Sequence, residues 1–122
     1  MFQQHGFLRG RSCATNLLLA REDWCVAVDR RNQVHAILVD FSKAFDKVDH
    51  AILERKLTSH GIVGKVLRWI NAYLLNRSWR VRVGNQLSSP GTATSGVPQG
   101  AVLGPRLFTI FVHDLPSSLH SR

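Results

Sequence analysis

The sequence has few acidic residues, and their placement leaves a long stretch without any. Eight Asp and Glu stand against sixteen Lys and Arg in 122 residues, which gives a formal net charge of +8. No acidic residue lies between Glu54 and Asp114, although basic residues recur throughout that stretch. Charge this one-sided exceeds what solubility requires, and it indicates a polyanionic partner such as nucleic acid.

Cysteines are also scarce, and long apolar runs are missing. Cys13 and Cys25 have no second pair that could complete a zinc site, so we expect both to be small buried side chains. No apolar run approaches the ~20 residues that cross a bilayer. Residues 1–12 lack the apolar segment of a secretory signal. We therefore expect an intracellular protein with no membrane partner.

Hydrophobic periodicity predicts helices and strands in mixed order, as in an α+β domain. The first helix begins after Ser12, a residue suited to N-capping, and ends at Asn32. The largely apolar segment from Val34 to Phe41 predicts a strand in the middle of its sheet. We expect the first helix to bury one stripe of side chains, namely Ala14, Leu17, Leu18, Cys25 and Val28.

Two further helices are predicted after this strand. Asp49 is suited to cap a helix that runs through Leu57 and ends near Gly61. Gly64 opens the next helix, which ends near Asn76. Its buried side is expected to consist of Val66, Leu67, Ile70 and Leu74.

The last third of the chain predicts strands and then a helix. Residues 79–83 change to a period of two ahead of a Gly84-Asn85 turn, which indicates a hairpin. A short strand is expected around Thr92 to Thr94 inside a loop rich in Gly, Ser and Pro. The segment from Val102 to Leu115 predicts a buried helix with Pro105 in its first turn.

The segment LVDFSKAFDKVDH, residues 38–50, contains three of the acidic residues. Asp40 follows directly on the predicted strand, where a rigidly placed carboxylate can hold Mg²⁺. A turn acceptor at a strand end is the simpler alternative for Asp40. Asp49 is placed to cap the next helix, and we interpret Asp46 as structural support. The segment therefore predicts one carboxylate for metal and two for architecture.

Three segments occur in an order that points to a family. They are QHGFLRGRS (residues 4–12), LVDFSKAFDKVDH (38–50) and TSGVPQGAVLGP (94–105). With the intervening GKVLRWINAYLLNRSWRVRVG and the trailing LFTIFVHDLP, they closely resemble the reverse transcriptases of non-LTR, LINE-type retrotransposons. The resemblance covers nearly the whole chain.

The resemblance implies a right-hand polymerase, of which residues 1–122 form one partial domain. Residues 1–33 would belong to the fingers and the approach to the palm, and residues 34–122 to the palm, an antiparallel sheet packed with helices. Relatives have a basic fingers motif before QHGF and a Tyr/Phe-x-Asp-Asp hairpin after DLP, and the sequence contains neither. We therefore expect a fragment that is inactive in isolation.

The resemblance also implies nucleotidyl transfer to a primer 3′-hydroxyl with two Mg²⁺ ions, or Mn²⁺ in their place. Asp40 would be the catalytic aspartate and a metal ligand, with the Phe41 backbone carbonyl as a further ligand. The triphosphate would face backbone amides in a nest-like arrangement, from Ser42, Lys43, Ala44 and Phe45.

The same family pattern implies roles in nucleotide selection and template binding. Phe45 would lie beneath the sugar and exclude a 2′-hydroxyl, although a core phenylalanine is the simpler alternative. Gln99 and Gly100 would bind the incoming nucleotide. Nucleic acid would contact four residues, namely Arg9, Arg11, Gly96 and Pro98.

The expected function is therefore that of an RNA-directed DNA polymerase domain. Its partners would be an RNA template, a DNA primer, dNTPs and the remaining parts of a parent polyprotein. Its location would be the cytoplasm and nucleus. The alternative is a non-catalytic, basic RNA- or DNA-binding remnant of such an element.

Overall fold

A computed structural model describes residues 4–115 of the chain. These residues form two compact units, one of residues 4–42 with Leu115 and the other of Lys43–Asp114. Four helices and two small antiparallel sheets confirm the predicted α+β class. Within residues 4–115, no helix is both long enough and apolar enough to cross a membrane.

Helix α1 (Cys13–Asp29) is defined by local signals at its start. The Thr15 N–H donates to Ser12 Oγ at 3.2 Å, and the Ser12 N–H donates to Thr15 Oγ1 at 2.9 Å, so the two residues form a capping box. The predicted cap is confirmed. The predicted buried stripe is wrong, because α1 has no buried residue and Cys13 and Cys25 are exposed free thiols. A periodic apolar stripe is buried only where another element covers it.

Residues 32–41 contain no helix or strand, so the strand predicted from Val34 to Phe41 is wrong for the described chain. Ile37 and Leu38 are 88% and 93% exposed. The described strands pair only with one another and none pairs with this segment. A strand needs a neighbour for its backbone N–H and C=O groups, and an apolar sequence cannot supply one.

Three helices form the frame of the second unit, and all three were predicted. Helix α2 (His50–Ser59) begins after Asp49, whose Oδ1 accepts the Ile52 N–H at 2.8 Å. Helix α3 spans Gly64–Leu74, and helix α4 spans Leu103–Phe111. Pro105 lies in the first turn of α4, where its missing N–H removes no helical hydrogen bond.

Four short strands connect α3 to α4 as two separate antiparallel pairs. Strand β1 (Arg77–Trp79) pairs with β4 (Gly91–Ala93), which lies one residue before the predicted position. Strand β2 (Arg82–Val83) pairs with β3 (Gln86–Leu87). The β2–β3 turn is Gly84-Asn85, as predicted, and Gly84 has the positive φ of 58° that favours glycine.

The core of the second unit lies between the three helices and the loops beside them. Burial of a core leucine side chain away from water stabilises the folded state by about 1.5–3 kcal/mol. Leu67 packs against this core, but Val66 is 56% exposed, so its predicted burial is wrong. Leu67, Ile70 and Leu74 share one helical stripe with i, i+3, i+7 spacing, and Val66 lies beside it. The buried hydrophobic residues of this core are Val48, Leu53, Leu57, Ile70, Leu74, Val97 and Leu107.

Candidate nucleotide and nucleic-acid site

Two of the segments that resemble the family are hydrogen-bonded to each other in the second unit. The Val97 N–H donates to the Phe45 carbonyl, and the Gly96 N–H donates to the Val48 carbonyl, both at 2.8 Å. Ser95 Oγ donates to the Asp46 carbonyl at 2.8 Å. We call this contact between residues 45–48 and 95–99 the motif junction. It brings together residues that are about fifty positions apart in sequence.

Gly96 is required at the motif junction by both conformation and space. Its φ is +84°, in the left-handed region that side chains rarely adopt. A Cβ here would lie 2.8 Å from Asp46 Cα and the Asp46 carbonyl oxygen, and 2.9 Å from the Phe45 carbonyl oxygen. These neighbours are backbone atoms, so they cannot move aside as a flexible side chain could. The backbones can approach this closely only with glycine.

Arg77 and His50 stabilise the motif junction from two sides. Arg77 Nη2 donates to the Gly96 carbonyl at 2.6 Å, and His50 Nε2 donates to the same oxygen at 2.8 Å. Arg77 Nε also donates to the Leu74 carbonyl at 2.9 Å. The Arg77 guanidinium therefore joins the end of α3 to the loop that contains Gly96. Neither role was predicted, because no local spacing in the sequence marks a contact with so distant a carbonyl.

Asp46 holds Gln99, the glutamine that the family pattern places at the incoming nucleotide. Gln99 Nε2 donates to Asp46 Oδ1 at 3.1 Å. This contact agrees with the interpretation of Asp46 as structural support. Because one amide hydrogen is directed at Asp46, the orientation of the Gln99 amide group is set by the protein.

Helix α4 packs closely on the loop that contains Pro98. A Cβ on Gly104 would lie 2.3 Å from the Pro98 carbonyl oxygen, so only glycine permits this approach. Phe108, one turn further along α4, stacks on Phe45 with ring centroids 4.7 Å apart. Helix α4 therefore contacts both segments of the motif junction, at Pro98 and at Phe45.

Phe45 is half-buried and packs against the hydrophobic core. This packing agrees with the simpler alternative to the steric gate for Phe45, a phenylalanine of the hydrophobic core. The two roles are compatible, since a ring held in place by packing is better able to exclude a 2′-hydroxyl than a mobile one. The steric-gate role stays a prediction.

Asp40 and Phe41 lie on the irregular segment of the first unit, and both are exposed. A carboxylate and a backbone carbonyl are hard oxygen donors, which are the ligands that Mg²⁺ and Mn²⁺ prefer. The chemistry of these donors fits such an ion. Within residues 4–115, no three His, Cys, Asp or Glu side chains cluster closely enough to hold a metal ion.

The other residues predicted to bind nucleotide differ in exposure and conformation. Ser42 and Lys43 are exposed, and Ala44 is half-buried. Lys43 has a φ of +53°, which is uncommon for a residue with a side chain. Its carbonyl accepts the N–H groups of Asp46 and Lys47, at 3.0 and 3.1 Å, so the segment is a tight turn. Gly100 lies in open space, with no heavy atom within 4 Å of a Cβ placed on it.

Arg11 belongs to a hydrogen-bonded cluster in the first unit, whereas Arg9 is an exposed side chain. Arg11 Nη1 donates to His5 Nε2 at 3.0 Å, and His5 itself is buried. Since a guanidinium can only donate, the His5 proton lies on Nδ1, which donates to Thr15 Oγ1 at 2.8 Å. The cluster joins the QHGF segment to the capping box of α1, and it was not predicted.

A cleft of about 540 Å³ opens beside the motif junction. Its volume lies within the range of small-molecule sites in proteins. The lining combines polar groups of the junction with one large aromatic ring, and it includes Asp46, Arg77, Trp79, Thr94, Pro98 and Gln99. Predicted and unpredicted residues therefore meet in one concave surface.

Comparison with known proteins gives the family. The chain matches the family described as reverse transcriptase (RNA-dependent DNA polymerase) over residues 1–122. The chain belongs to this family. The predicted resemblance to retrotransposon reverse transcriptases is thereby confirmed.

Several curated relatives of the chain come from mobile elements of insects. It is 33% identical over 121 residues to the probable RNA-directed DNA polymerase from transposon BS of Drosophila melanogaster, covering 93% of the chain and 12% of that protein. It is 31% identical to the RNA-directed DNA polymerase from mobile element jockey of the same species, over 75% of the chain and 10% of that protein.

A third relative, from the beetle Popillia japonica, is the retrovirus-related Pol polyprotein from type-1 retrotransposable element R2. It is 31% identical over 97% of the chain and 17% of its own length. The chain thus spans less than a fifth of the length of each of these relatives. No solved structure matches the chain significantly.

Proposed function

We propose that the chain is part of a retrotransposon polymerase that copies RNA into DNA by transferring nucleotides from dNTPs to a primer 3′-hydroxyl. The observation that carries this proposal is the motif junction, which holds the Phe45 and Gln99 segments together. The rest of a longer polyprotein would complete the enzyme, since the relatives are much longer than this chain. Its place of action would be the cytoplasm and nucleus.

Asp40 and the Phe41 carbonyl would supply two of the oxygen ligands for divalent metal, with further carboxylates from the longer polyprotein. When bound, such ions stabilise negative charge on the attacking and leaving oxygens of nucleotidyl transfer. The backbone amides of residues 42–45 would bind the triphosphate of the nucleotide. Phe45 would limit the space at the sugar 2′ position, and Gln99, oriented by Asp46, would contact the nucleotide together with Gly100.

Template and primer would bind through positive charge and close backbone approach. Arg9 and Arg11 would contact phosphate, and Gly96 and Pro98 would line the path of the strand. The second unit adds exposed basic side chains that suit a sequence-tolerant grip on phosphates, namely Arg55, Lys65, Arg68, Arg80, Arg82 and Arg106. This basic surface also supports the second candidate function, a non-catalytic RNA- or DNA-binding remnant of the element.

Primer extension by the chain within its longer polyprotein tests the catalytic proposal. Asp40→Asn keeps the shape of the side chain and removes the charge that holds metal, so extension should fall on the order of 10³-fold or more. Asp49→Asn is the matched control and should be mild, because Asn caps a helix nearly as well as Asp. Normal extension by Asp40→Asn would place the metal on another carboxylate.

Two further measurements test the steric gate and the binding of nucleic acid. Phe45→Ala should leave extension measurable and admit ribonucleotides, and continued exclusion of ribonucleotides would remove the steric-gate role. The 122-residue chain alone should bind RNA and RNA–DNA hybrid without extending primers. Its log affinity should fall by about 0.7–0.9 per phosphate contacted for each tenfold rise in salt. Salt-insensitive binding would contradict both candidate functions.

A further inference from the structure

Trp79 is a large aromatic side chain that is held in place yet open to solvent. It lies opposite Gly91 in the β1–β4 pair. A Cβ on Gly91 would lie 2.5 Å from Cε2 and Cζ2 of the indole, so the ring rests directly against the glycine backbone. The residue is nevertheless 55% exposed and lines the cleft beside the motif junction. A ring fixed from one side and exposed on the other loses little conformational entropy when a flat ligand stacks on it.

The polar groups of the cleft suit the edge of a nucleobase better than a phosphate. Asp46 is part of the cleft lining, and its carboxylate would repel an anion. The Arg77 guanidinium is already directed at the carbonyls of Leu74, Ser95 and Gly96. Carboxylate and amide groups can instead accept from, or donate to, the edge of an unpaired base.

The segment after the Trp79 ring contains exposed basic side chains. Arg80 and Arg82 follow Trp79 along the chain, and both are exposed. The sequence has no acidic residue from Arg55 to His113 to oppose them. An exposed aromatic ring beside basic side chains is the combination with which proteins bind single-stranded nucleic acid.

We propose that Trp79, seated on Gly91, is a stacking platform for one unpaired base of single-stranded RNA or DNA. The base would enter the cleft lined by Asp46 and Gln99, while Arg80 and Arg82 contact the flanking phosphates. This inference deepens the proposed function, on which it rests, because it gives the single-stranded template a defined aromatic contact in the cleft that Gln99 also lines.

Fluorescence anisotropy with the 122-residue chain tests the platform, with labelled oligo(U), oligo(dT) and a duplex of the same length as probes. Trp79→Ala should weaken binding to both single strands about 5- to 100-fold, the range expected for one stacked base. Trp79→Phe should recover most of the affinity. The salt dependence should not change, because no charge is removed. Duplex binding should also be unchanged.

Trp69→Ala is the matched control, since Trp69 is 59% exposed on α3 and is not part of the cleft lining. It should leave single-strand affinity within about twofold of the parent chain. The platform is overturned if Trp79→Ala behaves like Trp69→Ala. Equal weakening of single strands and duplex by Trp79→Ala also overturns it.

A second measurement keeps the parent side chain in case Trp79→Ala unfolds. In a variant with Trp24→Phe and Trp69→Phe, Trp79 is the remaining tryptophan. Oligo(dT) should quench its fluorescence, and unchanged emission at saturating oligo(dT) overturns the platform. If Trp79 stacking holds while the longer polyprotein extends no primer, the polymerase proposal fails separately. If extension holds without a Trp79 effect, the platform alone fails.

Discussion

Helices α1 and α2 begin in the same way and lie in very different surroundings. Ser12 caps α1 and Asp49 caps α2, each by accepting the N–H three residues later. The 17 residues of α1 include none that is buried. The 10 residues of α2 include Leu53 and Leu57, both fully buried.

The difference separates what forms a helix from what stabilises a fold. A cap satisfies orphan N–H groups within one turn, so it depends only on neighbours in sequence. Burial depends on partners far along the chain, and α2 has them in α3 and α4. We therefore expect core substitutions to have large effects in the second unit and small effects in α1.

The largest expected effect is that of Leu53→Ala. Removing this fully buried side chain should lower the free energy of unfolding by about 2–5 kcal/mol, through lost burial and the cavity left behind. Leu17→Ala makes the same chemical change at a residue that is 67% exposed. It should change the free energy of unfolding by less than about 0.5 kcal/mol. Urea denaturation followed by circular dichroism measures both. Equal losses would mean that α1 is packed like α2.

Gly96→Ala should have the next largest effect and lower the free energy of unfolding by about 2–3 kcal/mol. The reason is that it combines the strain of a left-handed backbone conformation with a collision against the Asp46 backbone. Gly61→Ala is the matched control, since Gly61 has a similar φ of +81° and open space around its Cβ. It should cost only about 1 kcal/mol, from the backbone conformation alone. Thermal melts compare the two, and equal shifts would show that the close approach at the motif junction is unimportant.

Loss of a cap should cost about 1 kcal/mol in either helix, with different consequences. Ser12→Ala should speed amide hydrogen exchange in the first turns of α1 and leave the unfolding of the second unit unchanged. Asp49→Ala should lower the stability of the second unit, because α2 contributes to its core. If Ser12→Ala also destabilised the second unit, α1 would unfold cooperatively with it.

The smallest expected effect concerns the exposed ion pair between Lys56 and Asp114. The hydrogen bond from Lys56 lowers the pKa of the Asp114 carboxyl below its ordinary value. A carboxylate with a lowered pKa stabilises the folded state above its unfolded pKa, and this contribution disappears as pH falls through the folded pKa. Melts of the parent chain and Asp114→Asn should therefore differ slightly at pH 7 and coincide well below pH ~4. A difference that persists at low pH would contradict a charge effect.

Local signals predicted most of the second unit. The Asp49 cap, the opening of α3 at Gly64, the Gly84-Asn85 turn and Pro105 in the first turn of α4 were all correct. Each depends on residues within a few positions of one another. The same reasoning correctly capped α1 at Ser12, but it wrongly buried Cys13 and Cys25, since burial requires a covering partner that spacing does not specify.

The candidate site also shows this difference between local signals and partners elsewhere in the chain. The family motifs are contiguous strings, so the sequence alone was sufficient to recognise the reverse transcriptase family. The apolar string before Asp40 was misjudged as a strand, because strand formation depends on hydrogen-bond partners outside the string.

The sequence by itself determined where helices start, where the chain turns and to which family it belongs, because these properties are encoded in neighbouring residues. Only the tertiary structure decided that Arg77 and His50 meet at the Gly96 carbonyl, that Gln99 is held by Asp46 and that Trp79 rests on Gly91. Such contacts join residues that are not neighbours in the chain, and their geometry, including hydrogen bonds of 2.6–3.1 Å, is set by how the helices and strands pack.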